Sequence, residues 1–199
     1  MKNQIVIGVT GGIGAGKSVV CKVFKAKGIP VYNSDVEAKL LVNSDLELKK
    51  TIKNVFGDAA YKDGQYNARY IAEIVFNDSE KMNVLNSIIH PAVKKHFIKW
   101  KNRQASAIVL KETAILFQVN LDKSVDYVLL VDAPEDLRVS RTVKRDAQRS
   151  LGEVKAIISK QGYKDEWKGL ADFLVLNDEK HSLTAQVNSI LNKIQNDIR

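Results

Sequence analysis

The pattern of apolar and polar positions along the chain predicts strands and helices in alternation. A short apolar run rich in Ile and Val at residues 4–10 is typical of a buried parallel strand. Residues 17–27 carry apolar side chains at helical spacing, and Gly28 ends that helix. An apolar run resumes at residues 29–32, so the beginning of the chain predicts one βαβ unit with a right-handed crossover.

The rest of the chain continues this alternation with one long exception. Residues 34–101 predict mostly helix, with interruptions at Gly57, Asp63-Gly64 and His90-Pro91. Strands are predicted at residues 106–110, 127–131 and 173–176, with a basic helix from Pro134 to about Arg149 and a final amphipathic helix from Ser182. Strands alternating with helices indicate an α/β fold with a parallel sheet, and the long helical stretch indicates an insertion that could cover a site.

The glycine-rich loop after the first strand matches a phosphate-binding motif. Residues 11–18, GGIGAGKS, fit G-x-x-x-x-G-K-[ST] in full, between a predicted strand and a predicted helix. Glycines let the backbone wrap phosphate oxygens with its N–H groups, and the following helix adds its positive dipole end. We therefore expect Lys17 to reach the β- and γ-phosphates and the Ser18 hydroxyl to bind Mg²⁺. The predicted ATP-binding residues here are Gly12, Ile13, Gly14, Ala15, Gly16, Lys17, Ser18 and Val19.

A phosphate loop does not by itself specify a reaction. A guanine-reading Asn/Thr-Lys-x-Asp segment is missing, since residues 192–195 lack its acid. A dinucleotide-binding loop would need glycine where the chain has Lys17. A small phosphotransferase, such as a nucleoside or nucleoside-monophosphate kinase, and a nucleotide-dependent switch without phosphotransfer both remain open at this point. The long helical insertion favours a kinase with a larger acceptor.

Two further features could carry phosphotransfer chemistry. Asp35 follows the second strand, and the carboxyl ends of adjacent parallel strands face one crevice. A carboxylate there can take a proton from an acceptor hydroxyl, although Asp is also favoured in the first turn of any helix. Arginines recur at spacings of three and four residues after Pro134, so they form either a phosphate clamp or a solvated basic face. They are Arg138, Arg141, Arg145 and Arg149.

Composition narrows the class of protein. The 199 residues are 45% hydrophobic and 27% charged, which indicates about one globular domain and excludes disorder. The net charge of +8 fits either Lys-rich solvated faces or a polyanionic ligand, and no zinc-finger or RNP-like pattern points to nucleic acid. The single cysteine, Cys21, fits a reducing compartment, and the first apolar run is too short for a membrane segment. We expect a cytoplasmic protein with no nucleic-acid or membrane partner.

The ordered set of motifs resembles the dephospho-CoA kinase family. Residues 7–18, IGVTGGIGAGKS, are close to the family's opening, and residues 28–35, GIPVYNSD, resemble its Gly-Ile-x-Val-Ile-Asp-Ala-Asp segment. The later matches are Ile89-His90-Pro91, Leu116-Phe117, Leu121-Asp122, residues 131–135, Arg141, Arg145-Asp146, Ala171-Asp172 and Asn177. The resemblance covers most of the chain, from Ile7 to about Asn177.

This resemblance implies a fold and a reaction. It implies a three-layer P-loop kinase with a parallel sheet, in which residues 1–33, 104–135 and 171–199 form the core. Residues 34–103 would be a helical acceptor-binding insertion and residues 136–170 a lid. The implied reaction transfers the ATP γ-phosphoryl group to the ribose 3′-hydroxyl of dephospho-CoA, with Mg²⁺, in the last step of coenzyme A biosynthesis.

The resemblance also assigns roles to residues. Asp35 matches the acid that the family uses as catalytic base, while Lys17, Arg141 and Arg145 would act on the transferring group. The resemblance adds Asn177 to the ATP-binding residues. It places His90 and Asp35 together at the acceptor-binding site. Departures from the family pattern are Asn33 for the first acid, Gln118 for a Glu and Trp167 for a basic residue. Glu112 is either a water-mediated Mg²⁺ partner or a plain surface acid.

Overall fold

The structure, a computed structural model, describes residues 4–76, 78–118, 121–160 and 166–197. It divides into two compact units. We call Met1–Tyr32 with Gln104–Arg199 the nucleotide unit, and Asn33–Arg103 the helical unit. Of the lid predicted at residues 136–170, the described part is 136–160 and 166–170.

Strands and helices follow one another much as the sequence pattern predicts. The strands are β1 (Ile5–Thr10), β2 (Val31–Asn33), β3 (Tyr61–Lys62), β4 (Gln65–Tyr66), β5 (Ile108–Glu112), β6 (Tyr127–Asp132) and β7 (Phe173–Leu176). The helices are α1 (Lys17–Ala26), α2 (Ser34–Ser44), α3 (Leu46–Phe56), α4 (Ala68–Val75), α5 (Ser79–Asn102), α6 (Glu135–Arg145), α7 (Leu151–Lys160), α8 (Glu166–Leu170) and α9 (Leu183–Asp197). Within the described ranges, no helix is both long and apolar enough to span a membrane.

The main sheet has five strands in the order β2-β5-β1-β6-β7. Strand β1 pairs in parallel with β5 and β6, and β6 pairs in parallel with β7. Alternate residues of these strands face α1 and α9 and form an apolar core, in which Ile7, Val9 and Leu110 are fully buried. Because both sheet faces are covered, the strands are apolar almost throughout, and this gave the sequence its strand signal.

Two aspartates stabilise the amino ends of the central strands. Asp126 Oδ2 accepts a hydrogen bond from the Val6 N–H at 2.7 Å, and Asp172 Oδ2 accepts one from the Val128 N–H at 2.7 Å. Asp172 precedes β7 and so lies at the sheet edge opposite to the carboxyl ends of the strands. Asp172 therefore holds the amino end of β6 and does not lie at the carboxyl ends of the strands.

In the helical unit, each long helix begins with a side-chain cap. An Asn or Asp oxygen accepts the N–H three residues further on, which satisfies a group that the helix itself leaves open. The caps are Asn33 on α2, Asp45 on α3, Asn67 on α4 and Asp78 on α5. Strands β3 and β4 form a small antiparallel hairpin beside these helices.

Several predicted boundaries were wrong. Helix α5 runs unbroken through His90-Pro91. Because proline has no N–H, the Ser87 carbonyl loses its helical hydrogen-bond donor. Both residues lie on the solvent side of the helix, so water can replace that donor. The predicted interruption at Asp63-Gly64 is present, and it is the turn of the β3–β4 hairpin, which the sequence pattern did not predict. Strand β5 extends beyond Leu110 to Glu112, and α6 ends at Arg145 instead of continuing to about Arg149.

Candidate active site

The phosphate loop connects β1 to α1 in the nucleotide unit, as predicted. Gly16, directly before α1, has φ 92°, and Gly14 has φ 76°, a left-handed region that glycine occupies without a steric cost. A Cβ on Gly14 would collide with the Arg138 carbonyl, and one on Gly16 with the Asn177 side chain. The loop is therefore tightly packed against residues from far along the chain.

Lys17 lies across the beginning of the loop. Its Nζ donates hydrogen bonds to the carbonyls of Gly11 at 2.7 Å and Gly12 at 3.3 Å. The Gly12 carbonyl also accepts the Ala15 N–H at 3.2 Å, which closes the loop into a tight turn. The ammonium group is thus at the loop, where the sequence predicted it, and its contact with phosphates stays a prediction.

Asn177 and Arg141 lie together at the other end of the loop. Asn177 Nδ2 donates to the Ala15 carbonyl at 2.9 Å, and its backbone N–H donates to the Asp132 carbonyl at 2.8 Å. Arg141 donates from Nη1 to the Asn177 carbonyl at 2.9 Å and from Nη2 to Glu179 Oε1 at 3.0 Å. The structure therefore brings together two residues that the sequence predicted as ATP-binding.

Arg145 faces a different way. It makes a two-pronged contact with Asp146, at 2.8 Å from Nε and 2.9 Å from Nη2, and its side chain is 62% exposed. The hydrogen bonds from the Arg145 guanidinium lower the pKa of the Asp146 carboxyl. These contacts do not join Arg145 to the loop, so its predicted role in phosphoryl transfer is untested.

Arg138 is a loop contact that the sequence singled out only as a member of the arginine stripe, without a role of its own. Its side chain is 4% exposed, and its Nε donates to the Ile13 carbonyl at 3.1 Å. Its guanidinium packs where a Cβ on Gly12 would stand. Position 138 was visible in the arginine stripe of α6, but spacing alone could not show that this arginine points into the protein.

Ser18, Cys21 and Glu112 form a polar cluster next to the loop, in which Cys21 and Glu112 are buried and Ser18 is exposed. Ser18 Oγ donates to Glu112 Oε1 at 3.2 Å, and Glu112 is 5% exposed, so it is not a surface acid. Burial and then the Glu112 carboxylate, which also hydrogen-bonds the thiol, raise the pKa of Cys21. Cys21 is therefore a neutral residue of the core.

The Ser18–Glu112 pair fits a magnesium ion. Both groups offer hard oxygen atoms, and Mg²⁺ is usually held by one or two carboxylates together with substrate phosphates. Among the described residues, no group of three or more His, Cys, Asp or Glu side chains could hold a metal by itself. The arrangement therefore suits an ion that arrives with a nucleotide better than a resident one.

A polar cleft of about 440 Å³ lies at the carboxyl ends of β6 and β7. Its wall includes Asp132, Arg138, Lys168 and Asp178, and Lys168 Nζ lies 3.3 Å from Asp132 Oδ2. Backbone N–H donors, that of His181 first, lower the pKa of Asp178 to about 2.

Trp167 stands where the family has a basic residue, and it is a core side chain in this protein. It is 7% exposed, with its ring centroid 5.2 Å from that of Phe117. Lys168, the next residue, supplies a cation at the cleft, as Arg138 does.

Asp35 and His90 belong to the helical unit. Asp35 is an exposed residue in the first turn of α2, whose cap is Asn33: the Asn33 Oδ1 accepts the Val36 N–H at 2.9 Å. Asp35 is thus a helix-start residue that does not serve as the cap, which leaves its carboxylate available for chemistry. His90 is half-buried within α5, and its acceptor role stays a prediction.

Comparison with known proteins gives a consistent result over the whole chain. The family model described as dephospho-CoA kinase matches residues 5–182. The dephospho-CoA kinase of Porphyromonas gingivalis is 35% identical over 192 residues, which cover 96% of this chain and 95% of the relative. That of Bacteroides fragilis is 36% identical over 184 residues, with 92% and 89% covered.

Solved structures agree on the fold. TT1252 from Thermus thermophilus has a TM-score of 0.86 at 28% identity and covers 96% of this chain and 98% of its own. Dephospho-CoA kinase from Campylobacter jejuni has a TM-score of 0.66 at 23% identity, with both chains fully covered (100%). Shikimate kinase from Acinetobacter baumannii has a TM-score of 0.53 at 16% identity and covers 98% and 96%. The predicted P-loop kinase fold is confirmed.

Proposed function

The chain belongs to the dephospho-CoA kinase family, and from that premise we propose how its residues divide the work of an ATP-dependent phosphotransfer. The reaction moves the γ-phosphoryl group of ATP to the ribose 3′-hydroxyl of dephospho-CoA and yields ADP and CoA. The observation that carries the proposal is the phosphate loop, which Asn177 contacts on one side and which adjoins the Ser18–Glu112 pair on the other, while Arg141 binds the Asn177 carbonyl.

The loop binds the nucleotide phosphates. Its N–H groups and the amino end of α1 offer positive charge to the β- and γ-phosphates, and Lys17 exchanges the Gly11 and Gly12 carbonyls for phosphate oxygens. Arg141 adds a planar pair of donors beside the loop. Arg145, in the lid, gives up its hydrogen bonds to Asp146 and binds the transferring phosphoryl group beside Arg141.

Asp35 is the general base. It lies two residues beyond the carboxyl end of β2, and ligands of open parallel sheets bind outside that edge. The carboxylate takes the proton of the acceptor hydroxyl while the hydroxyl oxygen bonds to the γ-phosphorus and the bond to the β-phosphate oxygen breaks. ADP carries away the electron pair of the broken bond.

Ser18 would be a ligand of Mg²⁺, and Glu112, in contact with Ser18, would be its partner in holding the ion. The ion neutralises charge on the phosphates when it is bound. The helical unit binds dephospho-CoA, with His90 and Asp35 at the acceptor site. Cys21 is buried, and it is the one cysteine of the sequence, so it forms no disulfide within the chain. A free cysteine fits a reducing compartment, and we therefore place the reaction in the cytoplasm.

The test of the substrate is ADP formation from MgATP with dephospho-CoA, beside a panel of nucleosides and nucleoside monophosphates. We expect ADP and CoA with dephospho-CoA only. Turnover with a monophosphate alone would overturn the acceptor, and ATP binding without turnover on any acceptor would favour a nucleotide-dependent switch.

The test of the metal site uses Ser18→Ala and Glu112→Gln. We expect both to raise the Mg²⁺ concentration for half-maximal turnover by about tenfold, the usual range for losing one ligand or its orienting partner. Equilibrium binding of Mn²⁺ in the presence of ADP gives a readout that does not depend on turnover. The exposed Glu47→Gln removes an acid from α3 and serves as the matched control. Unchanged metal binding in both variants would contradict the assignment.

A further inference from the structure

Two side chains from distant segments hold the outward carbonyls of the phosphate loop. Arg138 Nε donates to the Ile13 carbonyl at 3.1 Å, and Asn177 Nδ2 donates to the Ala15 carbonyl at 2.9 Å. Both donors come from outside the loop, 125 and 162 residues along the chain from their acceptors. The loop conformation is therefore imposed by the tertiary structure as well as by its glycines.

The direction of a carbonyl sets the direction of the next N–H. In a trans peptide the C=O and N–H of one plane point in opposite directions, and the described residues contain no cis peptide. With the Ile13 carbonyl turned towards Arg138, the N–H of Gly14 points to the other side of the loop. Within the described part of the chain, neither the Gly14 nor the Gly16 N–H donates to a protein acceptor. Such inward N–H groups are what binds an anion in a loop of this kind.

We propose that Arg138 is a positioning residue for the nucleotide phosphates, because its Nε holds the Ile13 carbonyl and so directs the Gly14 N–H towards them. The proposal rests on the proposed binding of nucleotide at this loop. Arg138 is itself held in place: Thr142 Oγ1 donates to its carbonyl at 2.7 Å, and the absence of a side chain on Gly12 makes room for its guanidinium. Asn177 does the same for the Gly16 N–H through the Ala15 carbonyl.

A matched pair of variants separates the hydrogen bond from the charge. In Arg138→Gln the amide nitrogen occupies the chain position of the arginine Nε, so the donor stays and the charge goes. In Arg138→Met the side chain keeps an unbranched shape of similar length, but both the hydrogen-bond donor and the charge are removed. We expect Arg138→Met to weaken ADP binding about tenfold, the scale of one lost charge-assisted hydrogen bond, and Arg138→Gln to stay within about threefold of the parent.

Amide NMR of the full chain during an ADP titration gives the residue-level readout. In the parent, both the Gly14 and Gly16 signals should shift. In Arg138→Met the Gly14 response should be lost while the Gly16 response, which depends on Asn177, persists. The KM for the acceptor should not change. Lys144→Gln removes one exposed charge from the same helix and should bind ADP like the parent.

Two outcomes would overturn the proposal: parent-like ADP binding with an intact Gly14 response in Arg138→Met, or equal losses in the Gln and Met variants. If Arg138→Met does not fold, Arg138→Gln decides, because a lost Gly14 response there contradicts the hydrogen-bond role. Failure of both glycine signals to respond in the parent would instead overturn nucleotide binding at the loop, and the two failures are thus distinguishable.

Discussion

The helices of the helical unit begin differently from α1 and α6 of the nucleotide unit, although α7 and α9 of that unit begin at Ser150 and Ser182, whose hydroxyls accept an N–H three residues further on. In the helical unit, α2 to α5 each start from an Asn or Asp whose side chain binds the first free N–H groups. In the nucleotide unit, α1 starts from Gly16 and α6 from Pro134, and no side chain of the described residues caps either one. In a capped helix, the side chain of the cap accepts a hydrogen bond from one of the first N–H groups. An uncapped helix leaves those N–H groups to an anion. The uncapped amino end of α1, at the phosphate loop, can therefore face a ligand.

The contacts that hold each site also differ in their span along the chain. The caps of the helical unit join residues three apart, such as Asn33 and Val36. The contacts around the phosphate loop join residues 94, 125 and 162 apart, from Ser18 to Glu112, Ile13 to Arg138 and Ala15 to Asn177. Local contacts keep a helix in place, and long-range ones make the loop depend on the folded sheet.

The largest expected effect is in the helical unit, at Asp35. Because Asn33 provides the cap of α2, Asp35→Asn should leave stability and ATP binding unchanged while kcat falls about 10²- to 10⁴-fold, the usual contribution of a general base. Steady-state ADP formation and ATP titration measure the two. Asp45→Asn, a carboxylate-to-amide change at a structural cap, is the control and should keep kcat. Retained turnover in Asp35→Asn would mean that Asp35, like Asp45, has only a structural role.

Two glycines with similar backbones allow a direct comparison of the units. Gly14 has φ 76° and Gly64 φ 78°, so alanine is strained at both. A Cβ on Gly14 also meets the Arg138 carbonyl, whereas one on Gly64 meets nothing within 4 Å. We expect Gly14→Ala to cost about 2–5 kcal/mol of unfolding free energy and Gly64→Ala about 1–2 kcal/mol. Urea denaturation measures both, and equal losses would show that packing against α6 does not constrain the loop.

Removal of a local cap should affect stability and nothing else. Asp45→Ala takes away the acceptor of the Leu48 N–H and should cost about 0.5–2 kcal/mol. ADP affinity should stay at the parent value, because the contact spans three residues of the helical unit. Thermal unfolding and ADP titration of the same preparation check this, and a weakened ADP affinity would contradict the division into local and long-range contacts.

The smallest effect is expected for Asn33→Asp, which restores the acid of the family pattern. Asn and Asp cap helices equally well, so the unfolding free energy should change by less than about 0.5 kcal/mol. A larger loss of stability would show that Asn33 does more than cap α2. The accompanying change in kcat measures what the missing charge contributes to turnover.

Local features of the sequence predicted the parts of the site that depend on neighbouring residues. The phosphate loop, α1 and the first turn of α2 with Asp35 follow from motif, periodicity and position after a strand. The break at His90-Pro91 was wrong, because whether a helix tolerates proline depends on which side faces solvent. For Glu112 the sequence left two interpretations open, and only the folded sheet buried it against Ser18.

The sequence by itself determined the five strands of the main sheet and the phosphate loop, since these depend on hydrogen bonds and side-chain periods within a few residues. It determined the family through the order of its motifs. Only the tertiary structure decided how the arginines of α6 differ: Arg138 points into the loop, Arg141 meets Asn177, and Arg145 faces Asp146. The four-residue spacing of a helix fixes which residues share a face. What that face meets is set by the packing of the folded chain, which for Arg138 brings in Ile13 from 125 residues away.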